Sequence, residues 1–108
     1  MDKFGQQAFS MLTTSKTRDA FDLSKESDAT RDRYGRNLSG SSLLVARRLV
    51  EAGVRFVTVN MFETVFDEIT WDIHGSSPFS PISCYRDLVG PMFDAAYSAL
   101  LEDLHQRG

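Results

Sequence analysis

The chain has 108 residues, which suits one small domain and not two. Hydrophobic residues make up 42% of the sequence, a composition typical of globular and not of disordered proteins. A formal net charge of −3 argues against a nucleic-acid-binding protein, which would show a basic patch or a high pI. Cys84 is the only cysteine, which excludes an intramolecular disulfide and a four-cysteine metal site.

The sequence contains no signal for a membrane or for export. No apolar run approaches the roughly 20 residues that cross a bilayer. The first ten residues lack the basic stretch and apolar core of a signal peptide. We therefore expect a cytoplasmic protein with neither a membrane nor a nucleic-acid partner.

Charge is distributed unevenly along the chain. Residues 1–53 contain nine basic and seven acidic side chains, whereas residues 54–108 contain three basic and eight acidic ones. The acidic half also carries the candidate site described below.

Residues 1–38 are predicted to form short helices. Residues 6–12 are rich in helix-compatible apolar side chains, Thr17 can cap a second helix, and Ser27 can cap a third that stops at Gly35. Each helix is too short to be stable alone in water. We therefore expect all three to lie on other elements.

Residues 39–60 are predicted to form a helix followed by a buried strand. Serines at residues 39, 41 and 42 offer N-cap hydroxyls, and apolar residues then recur at helical spacing up to the stop at Gly53. Arg47 and Glu51 fall on the other face, where an i,i+4 pair is expected in solvent. Residues 54–60 form a short run that is rich in β-branched side chains and almost continuously apolar, a pattern typical of a parallel strand covered on both faces. The predicted fold class is therefore α/β, mostly helical with one clear buried strand.

Residues 61–86 are predicted to form a long loop and residues 87–108 a C-terminal helix. The loop contains prolines, Gly75 and several serines, and loops of this length in compact domains are often functional. Residues 65–69 are a weak alternative strand. Apolar residues at helical spacing define one face of the last helix: Val89, Phe93, Ala96, Tyr97, Leu100 and Leu104.

The pattern predicts that residues 1–108 are a single incomplete domain. Gly108 resembles the helix cap at Gly53, which is followed at once by the predicted strand. A single strand cannot form a sheet, so further strands are expected outside this chain. Two alternatives stay open: the last helix is simply C-terminal, or the loop contains further strands.

Asp72 and His74 are the candidate metal ligands. They supply an oxygen and a nitrogen donor at i,i+2 spacing, which places both on one side of an extended segment. Both can then reach one cation of the zinc, manganese or iron type. Trp71 can shield one side of such a site, and other oxygen donors precede it at Asn60, Glu63, Asp67 and Glu68. The alternative interpretation is a solvated acidic loop with a hydrogen-bonded histidine.

Several motifs in the chain resemble the bacterial domain-of-unknown-function family 1501. They are residues 7–9 and 21–26, Arg33-Tyr34-Gly35, residues 41–60, Trp71-Asp72-Ile73-His74-Gly75 and residues 97–104. The resemblance covers nearly the whole chain, and its specificity comes from the order of the motifs.

The resemblance implies a fold and a chemistry. That family is grouped with the alkaline-phosphatase-like superfamily, which includes sulfatases, so a partial three-layer α/β/α fragment is implied. It also implies phosphate or sulfate ester hydrolysis with a divalent metal of the zinc, manganese or calcium type, for which Asp72 and His74 would be ligands. Longer members of the family are often exported, and they carry Gly-Glu-Phe-Gly-Arg-Thr and Gly-Arg-Asp-His-Trp segments and an earlier nucleophile region that this sequence lacks.

Two functional hypotheses follow. In the first, the chain is part of a metal-dependent ester hydrolase and is inactive alone, because a metal needs a closed ligand shell to activate water. No catalytic residue is then assigned within it. In the second, the chain is a small non-enzymatic or split-gene product. It would bind a complementary fragment, or itself, through the unpaired strand edge at residues 54–60.

Overall fold

The computed structural model describes residues 2–66, 68–77 and 79–108, and these residues form helices joined by irregular segments. The α-helices are α1 (Lys3–Thr13), α2 (Ser15–Ala20), α3 (Asp28–Tyr34), α4 (Leu38–Glu51) and α5 (Gly90–Arg107). A 3-10 turn, Leu23–Lys25, lies between α2 and α3, and a π-helical turn, Tyr85–Val89, leads into α5. None of the helices in these ranges is both long and apolar enough to cross a membrane.

Side-chain caps fix where the helices begin. Thr14 caps α2, Ser27 caps α3 as predicted, and Asn37 caps α4 by accepting a hydrogen bond from the Gly40 N–H at 2.9 Å. Each of these acceptors satisfies one of the N–H groups that a helix start leaves unpaired. The predictions that Thr17 and the serines at 39–42 act as caps are therefore wrong, because an earlier residue already occupies each cap position.

The core lies where α3, α4 and α5 meet. Tyr34, Leu44 and Ala99 pack together there with at most 2% of each residue exposed. Gly40 allows α4 to approach the end of α3 closely, since a Cβ atom at this position would lie 2.2 Å from the Gly35 carbonyl oxygen. Small residues therefore determine how tightly the three helices assemble.

The predicted α/β fold with a buried strand is wrong for the residues that the structure describes. Residues 54–60 form neither strand nor sheet, and neither do the described positions of the weaker candidate at 65–69. Phe56 is 85% exposed, whereas Val57 and Val59 are half-buried beside α4. One face of the segment is thus covered and the other is not. A strand requires a neighbour for its backbone groups, and no described segment lies in position to supply one. The three-layer arrangement is wrong for the same reason.

Arg47 is buried in the contact between helices, which corrects its predicted position on a solvated face. Its side chain is 1% exposed and forms ion pairs with Glu26 at 2.8 Å, Glu51 at 2.7 Å and Asp103 at 3.0 Å. Of the three, the contact with Glu51 also has hydrogen-bond geometry. The predicted i,i+4 pair with Glu51 is therefore confirmed, but it belongs to a buried cluster that joins α4 to α5 and to the segment after the 3-10 turn.

Arg48 attaches the N-terminal part of the chain to α4. Its guanidinium donates to the carbonyl oxygens of Ala20 at 2.8 Å and Asp19 at 2.7 Å, and it also pairs with Glu26. These carbonyls belong to the last turn of α2, where a helix leaves acceptors unpaired. Arg48 thus joins α2 to α4, Arg47 joins α4 to α5, and Glu26 bridges the two arginines.

The carboxylates of this cluster have lowered pKa values. Burial opposes ionisation of Asp103, but hydrogen bonds from Arg107 and from the Tyr34 hydroxyl outweigh it and lower the pKa of the Asp103 carboxyl. The pKa values of Glu26 and Glu51 are lowered in the same way, against burial, by Arg47 together with Arg48 or Arg107.

We expect acid to destabilise the protein through these carboxylates. A carboxyl whose pKa is lower in the folded state binds protons more readily when unfolded, so its stabilising effect is full above the ordinary pKa. That effect should be lost as the pH falls below the ordinary values of 4.5 for Glu and 3.8 for Asp. Urea denaturation monitored by circular dichroism between pH 7 and pH 3 measures this. Arg107→Met should make the urea midpoint fall less steeply between pH 7 and pH 3. A midpoint of the native protein that does not change with pH would contradict stabilisation by these carboxylates.

Candidate functional site

The Trp71–His74 segment lies in the loop that precedes the π-helical turn. The Trp71 indole packs edge-on against the rings of Tyr85, at a centroid distance of 5.2 Å, and Phe93, at 5.7 Å. The Tyr85 hydroxyl donates a hydrogen bond to the Trp71 carbonyl oxygen. Trp71 is thus an aromatic anchor that fixes the start of the segment against the last helix.

Backbone hydrogen bonds bring Ser80 back to Asp72 and Gly75. The Ser80 N–H donates to the Asp72 carbonyl at 3.1 Å, and the Gly75 N–H donates to the Ser80 carbonyl at 3.2 Å. Gly75 has φ +87°, a left-handed conformation that glycine adopts without strain. The Asp72 N–H donates to the Thr70 hydroxyl at 3.0 Å, and both Thr70 and Ser80 are buried. The backbone on either side of Asp72 is therefore held in place.

Asp72 and His74 converge, as their i,i+2 spacing predicts. The Nδ1 atom of His74 contacts the Oδ1 atom of Asp72 directly. The Asp72 side chain is 24% exposed, and that of His74 is 71% exposed. The His74 ring also lies 4.8 Å from the ring of Phe79, measured between centroids. One nitrogen and one oxygen donor are thus brought together beside solvent.

Asp72 also lines a wide, open cleft with part of the preceding loop. The cleft has a volume of about 670 Å³, and its lining includes Asn60, Glu63 and Trp71 as well as Asp72. Two of the predicted oxygen donors, Asn60 and Glu63, thus face the same cleft as Asp72. Asp67, a third predicted donor, lies outside the described residues.

The donors do not close around a common point in the described part of the chain. Within residues 2–66, 68–77 and 79–108, no group of three or more His, Cys, Asp or Glu side chains is placed so that it could hold a metal ion. Asp72 and His74 therefore stand as a pair. Metal binding by them stays a prediction.

The arginine–carboxylate cluster around Arg47 was missed by the sequence interpretation. Its members are spread over residues 26–107, so no local motif identifies it. The available signal was Arg47 and Arg48 in adjacent positions of an apolar helix, followed by Glu51. Their spacing indicates that Arg47 and Glu51 share one side of the helix, but contains no information on whether that side is packed.

Comparison with known proteins identifies the family. A search of curated proteins returned no match, and a search of solved structures returned none either. The resemblance noted from the ordered motifs is confirmed at the level of the family. The model of the family described as "Protein of unknown function (DUF1501)" matches residues 1–108, and the chain therefore belongs to that family.

Proposed function

We propose that this chain is part of a metal-dependent phosphate or sulfate ester hydrolase-like protein of the alkaline-phosphatase-like superfamily. Asp72 and His74 would contribute two ligands for a divalent cation of the zinc, manganese or calcium type. The proposal rests on the Trp71-Asp72-Ile73-His74-Gly75 motif and, above all, on the convergence of the Asp72 and His74 donor atoms.

The donor set suits such a cation in part. Imidazole nitrogen and carboxylate oxygen are ligands of zinc and manganese, and the contact uses one donor of each side chain. Each side chain also has a second atom that could bind the cation, Nε2 in His74 and the other carboxylate oxygen in Asp72. The packing of Trp71 against Tyr85 and the hydrogen bond from the Asp72 N–H to Thr70 would keep the two ligand side chains in a fixed orientation.

Two ligands are too few for catalysis. A divalent cation bound here would polarise an ester oxygen or lower the pKa of a bound water molecule. Structural and catalytic zinc sites have at least three protein ligands, so the chain requires donors from another polypeptide segment. We therefore propose that this chain alone hydrolyses no ester.

We expect Mn²⁺ to bind weakly and locally at this pair. Titration of Mn²⁺ into isotopically labelled protein should broaden the NMR signals of residues 70–76 first, because paramagnetic relaxation acts only near the ion. Asp72→Asn and His74→Gln should each remove this local broadening. His105→Gln is the matched control, since His105 is an exposed histidine on α5 and should leave the broadening unchanged.

Two results would contradict this proposal. One is broadening of residues 70–76 that persists in both Asp72→Asn and His74→Gln. The other is metal-dependent turnover of an aryl phosphate or aryl sulfate by the purified chain, since that would disprove its inactivity.

We propose partner binding through residues 55–61 as a second candidate function. The backbone N–H and C=O groups of these residues form no hydrogen bond with the rest of the chain that the structure describes. An unpaired backbone of this kind favours pairing with an added chain segment. This function requires no catalysis and is compatible with the first proposal.

A further inference from the structure

The chain exposes more surface than a folded monomer of its size normally does. Its accessible surface is 7474 Å². A monomeric protein of 12.1 kDa is expected to expose about 6,000 Å². The excess of about 1,500 Å² is larger than the roughly 800 Å² that each partner contributes to a standard interface. An excess of this size is compatible with an uncovered interface.

The unpaired segment has a regular pattern of exposure. Residues 56–60 lie between bends at Arg55 and Met61 and include no helix or turn. Val57 and Val59 are half-buried, while the residues at 56, 58 and 60 are exposed. This alternation has the period of two that is characteristic of a β-strand covered on one face.

An apolar groove lies along the covered face. All four of residues 57–60 line it on one side, with Val45, Ala46 and Leu49 of α4 among the residues on the other, and its volume is about 490 Å³. A second segment added beside residues 56–60 would lie over the open side of this groove. The groove thus offers apolar side chains of an added segment a place to pack.

We propose that the partner is a second copy of this chain, with residues 56–60 of the two copies pairing antiparallel about a two-fold axis at Thr58. This inference rests on the second candidate function, binding of a partner through this segment. Pairing the whole run between the two bends places its central residue, Thr58, on the axis. Val57 then lies opposite the partner's Val59, and Phe56 lies opposite the partner's Asn60.

Charge and side-chain type favour pairing of the segment with itself. Residues 56–60 carry no charge, so no like charges meet across the axis, where they would be destabilising. Arg55 would lie opposite the partner's Met61. Both valines stay on the face that contacts the groove, because directly opposed residues of an antiparallel pair point to the same face. The added hydrogen bonds would satisfy backbone groups that are otherwise left to solvent.

Cysteine cross-linking tests this register. In a Cys84→Ser background, Thr58→Cys places two thiols next to each other across the axis, where opposed Cβ atoms lie about 4.5–5.5 Å apart. Mild oxidation should give a disulfide-linked dimer at least ten times faster than in the matched variant Thr64→Cys. Thr64 is also exposed in the same loop, but its counterpart would lie far from the axis.

Sedimentation of the unmodified chain supplies an independent measurement. We expect a dimer that Thr58→Pro converts to a monomer with unchanged helix content, because Thr58 lies in no helix and its backbone forms no hydrogen bond in the described chain. A monomeric unmodified chain, or equal cross-linking of the Thr58→Cys and Thr64→Cys variants, would overturn the inference that the partner is a second copy.

A third measurement separates that failure from failure of partner binding itself. A synthetic peptide of alternating valine and threonine should slow hydrogen exchange at the amides of residues 56–60 if the segment accepts an added strand. If the chain is monomeric and the peptide protects these amides, only the inference of a dimer is overturned. If the chain is monomeric and the peptide gives no protection, partner binding through the segment is overturned as well.

Discussion

Replacement of Arg47 by methionine is expected to lower the free energy of unfolding by about 3–5 kcal/mol, the usual effect of removing one partner from a buried charge cluster. The substitution leaves the carboxylates of Glu26, Glu51 and Asp103 around a side chain that was 1% exposed. A domain of this size has a total stability of about 5–15 kcal/mol, so the loss is a large fraction. Urea denaturation followed by circular dichroism measures it.

Arg36→Met is the matched control for Arg47→Met. Arg36 also forms ion pairs with two carboxylates, those of Asp28 and Asp32, but its side chain is 45% exposed. Exposed ion pairs contribute little to stability, so the free energy of unfolding of this variant should stay close to that of the native protein. Equal losses in the two variants would refute a special role for the buried cluster.

A second variant keeps the Arg47 prediction testable if Arg47→Met does not fold. Without Arg47 the cluster has three carboxylates and only two arginines, Arg48 and Arg107. Combining Arg47→Met with Asp103→Asn restores the balance, because Glu26 keeps its ion pair with Arg48 and Glu51 keeps its ion pair with Arg107, and should recover part of the lost stability. No recovery in the double variant would show that the loss comes from packing of the arginine stem and not from uncompensated charge.

Replacement of Gly40 by alanine is expected to cost about 3 kcal/mol, at the upper end of the usual range for overpacking. Alanine has the higher helix propensity, and on that basis alone the change should stabilise α4 by about 1 kcal/mol. The added Cβ would lie 2.2 Å from the Gly35 carbonyl oxygen and 2.4 Å from that of Tyr34. These are backbone atoms and cannot rotate away, so α3 and α4 must move apart.

Gly53→Ala is the matched control for Gly40→Ala. Gly53 has φ +102° and no heavy atom within 4 Å of an added Cβ, so its replacement meets backbone strain without a collision. That strain costs about 1–2 kcal/mol for a left-handed alanine. Thermal denaturation of both variants compares the two effects. A stabilised Gly40→Ala protein would show that the helices do not approach as closely as described.

The convergence of Asp72 and His74 could be predicted from the sequence, whereas their surroundings could not. Alternation along an extended segment depends only on local geometry, and their i,i+2 spacing indicates a shared side. The position of Trp71 against Tyr85 and Phe93 depends on how a loop meets a helix some 14 residues or more along the chain. The spacing of residues within the motif contains no information about that contact.

The prediction of a buried strand at residues 54–60 shows where composition misleads. Valine and phenylalanine in a short run favour a strand that is covered, but composition does not supply the covering segments. In the described structure α4 covers one face, Phe56 is left exposed, and the backbone of residues 55–60 has no hydrogen-bonding neighbour. Whether such a run becomes a strand depends on the presence of another chain segment beside it.

The sequence by itself determined several local features: the presence of α4, its stop at Gly53, the cap at Ser27 and the long last helix, although not the start of α4 at Leu38. Caps and apolar periodicity act over a few residues, so the sequence contains the information for them. Only the tertiary structure decided that Arg47 is buried and that the backbone of residues 55–60 is unpaired in the described chain. Burial depends on which distant segments meet, and here Glu26, Glu51 and Asp103 converge on a single guanidinium from three separate parts of the chain.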